Sequence, residues 1–284
     1  MKEKILVYLK GICVGAVDLI PGVSGGTIAL IMGIYPRLIQ ALRSFDKQAF
    51  QLLLKGRWRE LWEHLKGPFL FSFLLGIGTS VLSFAHLLKY LLGEIPILLW
   101  SFFGSLIFGA SLRLFYSFWG APPITLIWLG LGICSTYFLP HLPAVTSNPS
   151  YPILYLYGII AICAGLLPGI SGSSVMLALG AYEFLVEAIT RSNVPVLFVV
   201  ALGCITGGLL FSRGVHFLLN RYPISTLSFL VGCMLGSLNG IWGRIADEIN
   251  QAGDTHYLWK IILAFLFGIA IISLFGRWEK RVKI

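Results

Sequence analysis

The sequence predicts an all-α, polytopic membrane protein with two inverted repeats, each a broken helical hairpin followed by three transmembrane helices. Composition is the first observation, because 57% of the 284 residues are hydrophobic and only 12% are charged, which is typical of integral membrane proteins. The second is the motif Pro-Gly-x-Ser-Gly, which occurs at 21–25 and again at 168–172. Long apolar segments that follow both copies in the same order are the third.

The two motif copies belong to a longer internal repeat. When 21–41 is aligned with 168–188, nine of twenty-one pairs are identical, among them Gly33 with Gly180. Matching pairs continue downstream at a second constant offset, through most of the apolar segments. Paired Pro/Gly-broken segments in a membrane chain are typical of transporters whose binding site lies between structural repeats.

The first repeat is predicted at 1–140. Its broken segment, about 5–43, is interrupted at 21–22 and 25–26. Each half has about 12–16 residues, or roughly 18–24 Å as a helix, which is shorter than the hydrocarbon core of about 30 Å. A re-entrant hairpin is therefore favoured, with one broken spanning helix as the alternative. Three spans are predicted next, at about 68–92, 95–118 and 122–140.

A polar, basic loop at 44–67 interrupts the first repeat and has no counterpart in the second. Trp58 and Trp62 alternate there with lysine and arginine residues. This pattern indicates either an interfacial amphipathic helix on an anionic leaflet or an ordinary cytoplasmic loop.

The second repeat is predicted at 152–284, with a broken segment at about 152–190 and spans at about 195–219, 223–243 and 257–276. Three crossings in each repeat would place the repeats in opposite orientations. Basic residues concentrate near the N-terminus, in the 44–67 loop and near the C-terminus. By the positive-inside rule both termini are expected to be cytoplasmic, and the tips of the two hairpins are expected to meet.

Each motif is predicted to form an anion site at its hairpin tip. Pro and Gly break the incoming helix, and Ser24 or Ser171 is a natural N-cap for the outgoing helix. Backbone N–H groups and hydroxyls at a helix N-terminus suit phosphate or carboxylate. The tip donors are Ser24, Gly25, Gly26 and Thr27 in the first copy and Ser171, Gly172, Ser173 and Ser174 in the second. Close helix packing between small residues is the alternative explanation.

Ionisable residues within apolar segments are costly in lipid and therefore indicate function. Arg113 and Arg213 are the best cationic candidates for a phosphate, with snorkelling at segment ends as the alternative. Asp18, Glu183 and Glu187 are candidate proton carriers. No spacing indicates a metal site, a cofactor or a catalytic group, and the five cysteines are scattered singly. The net charge of +9 sits mostly at segment ends, so it does not indicate nucleic-acid binding.

The segment 15–27, with Gly33-Ile34-Tyr35 downstream, resembles the signature of a bacterial family of polyprenyl-phosphate translocases (the PopT type), formerly domain of unknown function 368. The second motif, with Gly180-Ala181-Tyr182-Glu183, resembles it as well, and the likeness covers essentially the whole chain. The second copy departs from the first at Ser173 and Ser174, and it has no acidic residue before its Pro-Gly. The two half-sites are therefore expected to differ.

The resemblance implies a flippase that returns undecaprenyl phosphate from the outer to the inner leaflet of the bacterial plasma membrane, for recycling in cell-wall synthesis. Its partners would be the polyprenyl phosphate lipid and the bilayer, with no enzyme activity and no cofactor. Proton coupling is a hypothesis that accompanies this reading. Tail length, oligomeric state and the tip that binds phosphate are left open.

Two other functions compete with this interpretation. Undecaprenyl-pyrophosphate phosphatases of the bacitracin-resistance type resemble the chain in repeat plan, but their Pro-Gly-x-Ser-Arg-Ser motif has an arginine where this chain has Gly25 and Gly172. That arginine would stabilise a phosphoryl transition state, so its absence argues against catalysis. A transporter of a small soluble anion would need a polar pathway, which the scarcity of charges in the spans disfavours.

Overall fold

The structure of the chain is a computed structural model that describes residues 2–18, 23–138, 149–191, 193–252 and 257–281. These residues form fourteen α-helices, so the predicted all-helical fold is confirmed for the described part. The helices are α1 (Lys2–Asp18), α2 (Gly25–Ile31), α3 (Tyr35–Arg43), α4 (Lys47–Leu54), α5 (Trp58–His64), α6 (Gly67–Glu94), α7 (Pro96–Ser117), α8 (Ile124–Tyr137), α9 (Tyr151–Leu166), α10 (Gly172–Ala178), α11 (Tyr182–Thr190), α12 (Val194–Arg221), α13 (Pro223–Ala252) and α14 (Leu258–Arg281).

Each predicted hairpin contains three helices rather than two. The sequence predicts an outgoing half of about 12–16 residues, and this is wrong, because α2 has 7 residues and α3 has 9. Gly33 lies between them with φ 68°, and Gly180 has φ 71° at the corresponding break between α10 and α11. Glycine adopts this left-handed conformation without steric cost, so it ends each short helix at the same place.

Helix bounds follow the repeat closely. The alignment that pairs Pro21 with Pro168 also carries the bounds of α2 onto α10 and those of α3 onto α11. The second offset, which pairs Pro68 with Pro195, carries α6 onto α12. Both copies of the motif are therefore embedded in the same order of helices, while the inverted orientation of the repeats stays a prediction.

Helices are found at all six predicted spans, and four of them are long and apolar enough to cross a membrane: α6, α7, α12 and α13. The pair α2 and α3 would make a fifth span, bent by 116°. That geometry fits either a broken span or a re-entrant loop, and the alternatives predicted from the sequence concern the longer segment of about 5–43. The apolar parts of α8 and α14 are shorter than the others.

The chain divides into two compact units. Unit 1 comprises residues 1–84 and 139–223, which include both broken segments, and unit 2 comprises residues 85–138 and 224–284. In unit 1, α12 packs along α9 and contacts α3. In unit 2, α7 packs along α14.

Close helix crossings in unit 1 depend on glycine. A Cβ added to Gly76 of α6 would overlap the carbonyl oxygen of Tyr8 in α1. At the corresponding place in the second repeat, a Cβ added to Gly203 of α12 would overlap the carbonyl oxygen of Tyr155 in α9. Small residues allow this close backbone approach between membrane helices. Each incoming hairpin helix is thereby held against the long helix of its own repeat.

The basic loop 44–67 forms the short helices α4 and α5. Asp46 is the N-cap of α4, where its carboxylate accepts a hydrogen bond from Ala49 N at 3.0 Å. Several large apolar side chains of the two helices are exposed: Phe50, Leu53, Leu54, Trp58 and Trp62. Exposed apolar side chains next to basic residues favour the interfacial alternative over an ordinary loop.

Candidate functional site

The first tip lies where the chain enters α2, in unit 1. Ser24 occupies the predicted N-cap position with an extended backbone, but its side chain makes no capping hydrogen bond. The carboxylate of Asp18 accepts the N–H of Gly25 instead, with 2.6 Å between Asp18 Oδ1 and Gly25 N. The expectation that Ser24 caps this helix through its hydroxyl is therefore wrong, because an acidic side chain from the end of α1 takes that role.

The second tip has the same backbone plan with a different cap. Ser171 holds the N-cap position of α10, and its hydroxyl lies 2.7 Å from that of Ser173 rather than on a backbone amide. Gly169 has φ 92°, and Pro168 is fully buried. The corresponding prolyl-glycyl pair of the first tip, Pro21-Gly22, lies outside the described residues.

The two tips contact each other, as the sequence predicts. Ser24 is 2% exposed, and its hydroxyl donates to the carbonyl oxygen of Leu167 at 3.2 Å. Thr27 is fully buried, and its hydroxyl accepts a hydrogen bond from Gly169 N at 2.7 Å. Two side chains of the first tip therefore satisfy backbone groups of the second tip.

A cavity of about 560 Å³ opens at the tips within unit 1. Its polar end carries Asp18 and the backbone of Gly25, Gly26 and Gly165. Much of the remaining lining consists of apolar side chains from α3, α6, α9 and α12: Leu38, Leu42, Phe73, Leu74, Ile77, Ile162, Ile205 and Leu209. A polar end joined to an apolar wall suits a ligand with a polar head and a hydrocarbon body.

The tips differ at one pair of aligned positions. Gly165 in the second repeat aligns with Asp18 in the first, and Gly172 aligns with Gly25. A Cβ placed on Gly165 would lie 3.7 Å from Gly172 N, so this glycine stands beside the amide as Asp18 stands beside Gly25. Among the described residues nothing accepts a hydrogen bond from Gly172 N. The second tip therefore has an open amide position that the first tip fills with a carboxylate.

Of the residues predicted for the site, Asp18, Gly25 and Gly26 line the tip cavity, whereas Ser24, Thr27 and residues 171–174 lie at the tips without lining it. Arg213 of α12 lines a separate cavity together with Arg43. Glu187 forms an exposed ion pair with Arg191 at 2.9 Å, and Arg113 belongs to α7 of unit 2. The side chain of Glu183 lies outside the described residues.

Metal coordination finds no support in the described part of the chain, where His, Cys, Asp and Glu form no group of three. Sequence reasoning missed two features of the tips: the cap formed by Asp18 and the carbonyl of Leu167 that receives Ser24. The alignment of Asp18 with Gly165 was the signal for the first. The contact between Ser24 and the carbonyl of Leu167 has no signal in the sequence, because every residue has a backbone carbonyl whatever its side chain.

Comparisons with known proteins agree with the membrane architecture. A profile of undecaprenyl phosphate translocase-like proteins matches residues 14–256. The chain is 38% identical over 250 residues to a polyprenyl-phosphate transporter of Vibrio cholerae, covering 87% of this chain and 81% of that protein. It is 27% identical over 288 residues to a polyprenyl-phosphate transporter of Staphylococcus aureus, covering 95% of each. No solved structure matches. The chain therefore belongs to the undecaprenyl phosphate translocase-like family.

Proposed function

We propose that this protein is a flippase that moves undecaprenyl phosphate from the outer to the inner leaflet of the bacterial plasma membrane. The curated relatives named polyprenyl-phosphate transporters support the substrate class. One structural observation carries the proposal for this chain: the cavity at the tips is polar at one end and apolar along α3, α6, α9 and α12. An isoprenoid phosphate has the same division between head and tail.

The phosphate group binds at the second tip in this proposal. Its ligands are the backbone N–H groups of Gly172, Ser173 and Ser174, with hydroxyls from Ser171 and Ser173. Gly165 leaves space beside Gly172 N, and it lines the cavity. Backbone amides at the start of a helix are suited to phosphate oxygens.

Asp18 plays a different part at the first tip. Its carboxylate already occupies the amide of Gly25, so this tip holds an anion supplied by the chain itself. Protonation of Asp18 would weaken that hydrogen bond and loosen the contact between the end of α1 and the first residue of α2. We infer that Asp18 is the proton-coupling residue, ahead of Glu187, which is paired at the surface.

The membrane potential opposes inward movement of the anionic lipid, so coupling to a proton would help transport. Moving one negative charge inward against 100 mV, inside negative, costs about 2.3 kcal/mol. Consumption of the lipid on the inside would offset this cost, and movement of a proton with each phosphate would reduce the net charge carried. The glycines at positions 25 and 172 supply no guanidinium for a phosphoryl transition state, which supports transport over hydrolysis in this proposal.

The test reconstitutes the purified protein in liposomes with a fluorescent polyprenyl phosphate, and in parallel with the corresponding pyrophosphate. Leaflet exchange and released inorganic phosphate are followed in the same sample. We expect exchange of the monophosphate without phosphate release, and faster exchange when a pH gradient is imposed. Phosphate release from the pyrophosphate would instead support a phosphatase, and the absence of both signals would contradict the proposal. Exchange that ignores the pH gradient would contradict proton coupling alone.

A further inference from the structure

A second cavity of unit 1, about 540 Å³ in volume, lies at the end of α3 and the last turns of α12. It is separate from the tip cavity and shares none of its lining residues. The side chains that line it are Arg43, Asp46, Arg213, His216, Phe217, Asn220 and Arg221. Three guanidinium groups in one cavity are unusual for a chain in which only 12% of the residues are charged.

Basic side chains outnumber acidic ones in the lining of this cavity. In the part of the chain that the structure describes, none of Arg43, Arg213 and Arg221 forms an ion pair with a carboxylate. Asp46 is the one acidic lining residue, and it is engaged by Ala49 N and by His64, each at 3.0 Å. The lining therefore carries three fixed positive charges against one negative charge.

Asp46 stays ionised at neutral pH. Desolvation acts to raise the pKa of Asp46, but its hydrogen bonds with Ala49 N and His64 outweigh it and lower the pKa below the ordinary value of 3.8. Its carboxylate is directed to the start of α4 and to α5, so it orders that segment beside the arginines rather than pairing with them.

Further hydrogen-bonding groups adjoin the arginines. His216 Nε2 lies 2.8 Å from the Asn220 side-chain nitrogen, and both residues also line a neighbouring cavity of about 510 Å³. That neighbour contributes Lys66 and Arg37, of which Arg37 is held by Glu3 at 2.6 Å. The two cavities thus form one basic face, to which α12 contributes Arg213 and Arg221 and α3 contributes Arg43.

The basic cavity and the tip cavity are lined by neighbouring residues on two helices. On α3, Leu42 lines the tip cavity and the next residue, Arg43, lines the basic cavity. On α12, Leu209 lines the tip cavity, and Arg213, one turn later, lines the basic cavity. The basic cavity therefore lies beyond the tip cavity, toward the C-terminal ends of both helices.

The basic cavity adjoins a surface suited to the membrane interface. Helix α4 begins directly after Asp46, and its exposed side chains include Phe50 and Leu54. Trp58 and Trp62 are exposed on α5. Aromatic and apolar side chains beside basic groups are characteristic of segments that lie in the lipid headgroup region.

We propose that this cavity, formed by Arg43, Arg213 and Arg221 with His216 and Asn220, is a second phosphate-binding site, which holds the head group of a phosphomonoester lipid at the membrane surface before or after its passage by the tips. Arginine binds phosphate oxygens through paired N–H groups, and three guanidinium groups match a phosphomonoester that carries nearly two negative charges. The identity of the lipid and its passage by the tips rest on the proposed function, whereas the anion site itself does not.

Native mass spectrometry of the purified protein with a short-chain polyprenyl phosphate tests the proposal by counting bound lipids. Wild type is expected to bind two lipids. The variant Arg43→Gln/Arg213→Gln/Arg221→Gln is expected to bind one, Gly165→Asp to bind one, and the combination to bind none. The control Lys47→Gln/Lys55→Gln/Arg59→Gln removes the same charge from exposed positions that line neither cavity, and it is expected to keep two.

Outcomes separate the two sites. If wild type binds one lipid, the Arg→Gln triple variant binds none and Gly165→Asp still binds one, the result supports a site in the basic cavity and contradicts the site at the tip. The proposal would be overturned if the Arg→Gln triple variant kept two lipids or if wild type bound none. It would also be overturned if the control at Lys47, Lys55 and Arg59 lost a lipid to the same extent. A charge-preserving variant with lysine at all three positions is expected to keep the second lipid at lower occupancy, which separates loss of binding from loss of folding.

Two competitors distinguish the source of the phosphate group. The uncharged polyprenol is expected not to occupy the basic cavity, and inorganic phosphate is expected to displace the second lipid at millimolar concentration. Equal binding of the polyprenol would contradict an anion site. If inorganic phosphate binds to wild type while the lipid does not add a second equivalent, the site belongs to a soluble anion, and the lipid form of the proposal is wrong.

Discussion

The carboxylate of Asp18 caps Gly25 at a distance of 2.6 Å, and the aligned pair in the second repeat, Gly165 and Gly172, has the same placement without a carboxylate. One repeat thus supplies its own anion and the other leaves the position open. A transporter for a phosphate needs a site that the substrate can enter. The two tips are similar in sequence, but under the proposed function only the second is open to the phosphate. The predictions below follow from it and from the contacts around it.

Replacing Asp18 separates capping from charge. Asp18→Ala leaves the buried Gly25 amide without its acceptor and is expected to lower the free energy of unfolding by about 0.5–2 kcal/mol. Asp18→Asn retains an acceptor oxygen, so a smaller loss is expected. Thermal unfolding of the purified variants measures both. If Asn proves as destabilising as Ala, the hydrogen bond is not the source of the stabilisation.

The contact between the tips depends on the hydroxyl of Thr27. Thr27→Val keeps the shape of the side chain but leaves the N–H of Gly169 unsatisfied, at a cost of about 1–3 kcal/mol in stability. Thr206→Val is the control, because the hydroxyl of Thr206 donates to the carbonyl oxygen of Leu202 in its own helix, and a change within about 0.5 kcal/mol is expected. Chemical unfolding in detergent compares the two. Equal effects would argue against a specific link between the tips.

The crossing of α9 and α12 should tolerate no side chain at Gly203. Gly203→Ala forces a Cβ against the carbonyl of Tyr155 and is expected to destabilise the protein by about 1–3 kcal/mol. Gly214, on the same helix, has open space at its Cβ position, so Gly214→Ala is expected to stabilise by up to about 1 kcal/mol through helix propensity. Melting temperatures of the two variants give the comparison, and a tolerated alanine at position 203 would contradict the packing.

The predicted inverted topology places two exposed residues, Lys55 and Ser150, on opposite sides of the membrane. In a cysteine-free background, Lys55→Cys is expected to react with a membrane-impermeant maleimide only after the cells are opened. Ser150→Cys is expected to react on intact cells, because the loop before α9 lies outside in the predicted topology. Labelling of both cysteines from the same side would contradict an odd number of crossings in the first repeat.

The elements that the sequence predicts well are those fixed by apolar length and repetition. The six predicted spans and the two motif-bearing segments all appear as helices, because long apolar stretches and Pro/Gly interruptions are local properties. The second break in each hairpin could also have been found, since Gly33 and Gly180 align and glycine is the residue that accepts a left-handed backbone.

The candidate site was less predictable because it depends on partners far apart in the sequence. Ser24 is an ideal N-cap by residue type, yet its hydroxyl bonds to Leu167, and the cap comes from Asp18. Arg213 was expected among the phosphate ligands at the tips, but α12 carries it past them to Arg43 and the basic cavity. The helical period predicts which side chains share one face of a helix. It does not predict which other helix packs against that face.

The most direct test of the central claim, that the open amide position at Gly172 holds the phosphate, compares Gly165→Asp with Gly165→Ala in the liposome exchange assay. A Cβ at residue 165 makes only ordinary contact with Gly172, so the alanine variant should exchange polyprenyl phosphate at close to the wild-type rate. The aspartate variant should copy the cap of the first tip and lose at least about tenfold in rate, equivalent to about 1.4 kcal/mol. Equal rates for the two variants would contradict the claim.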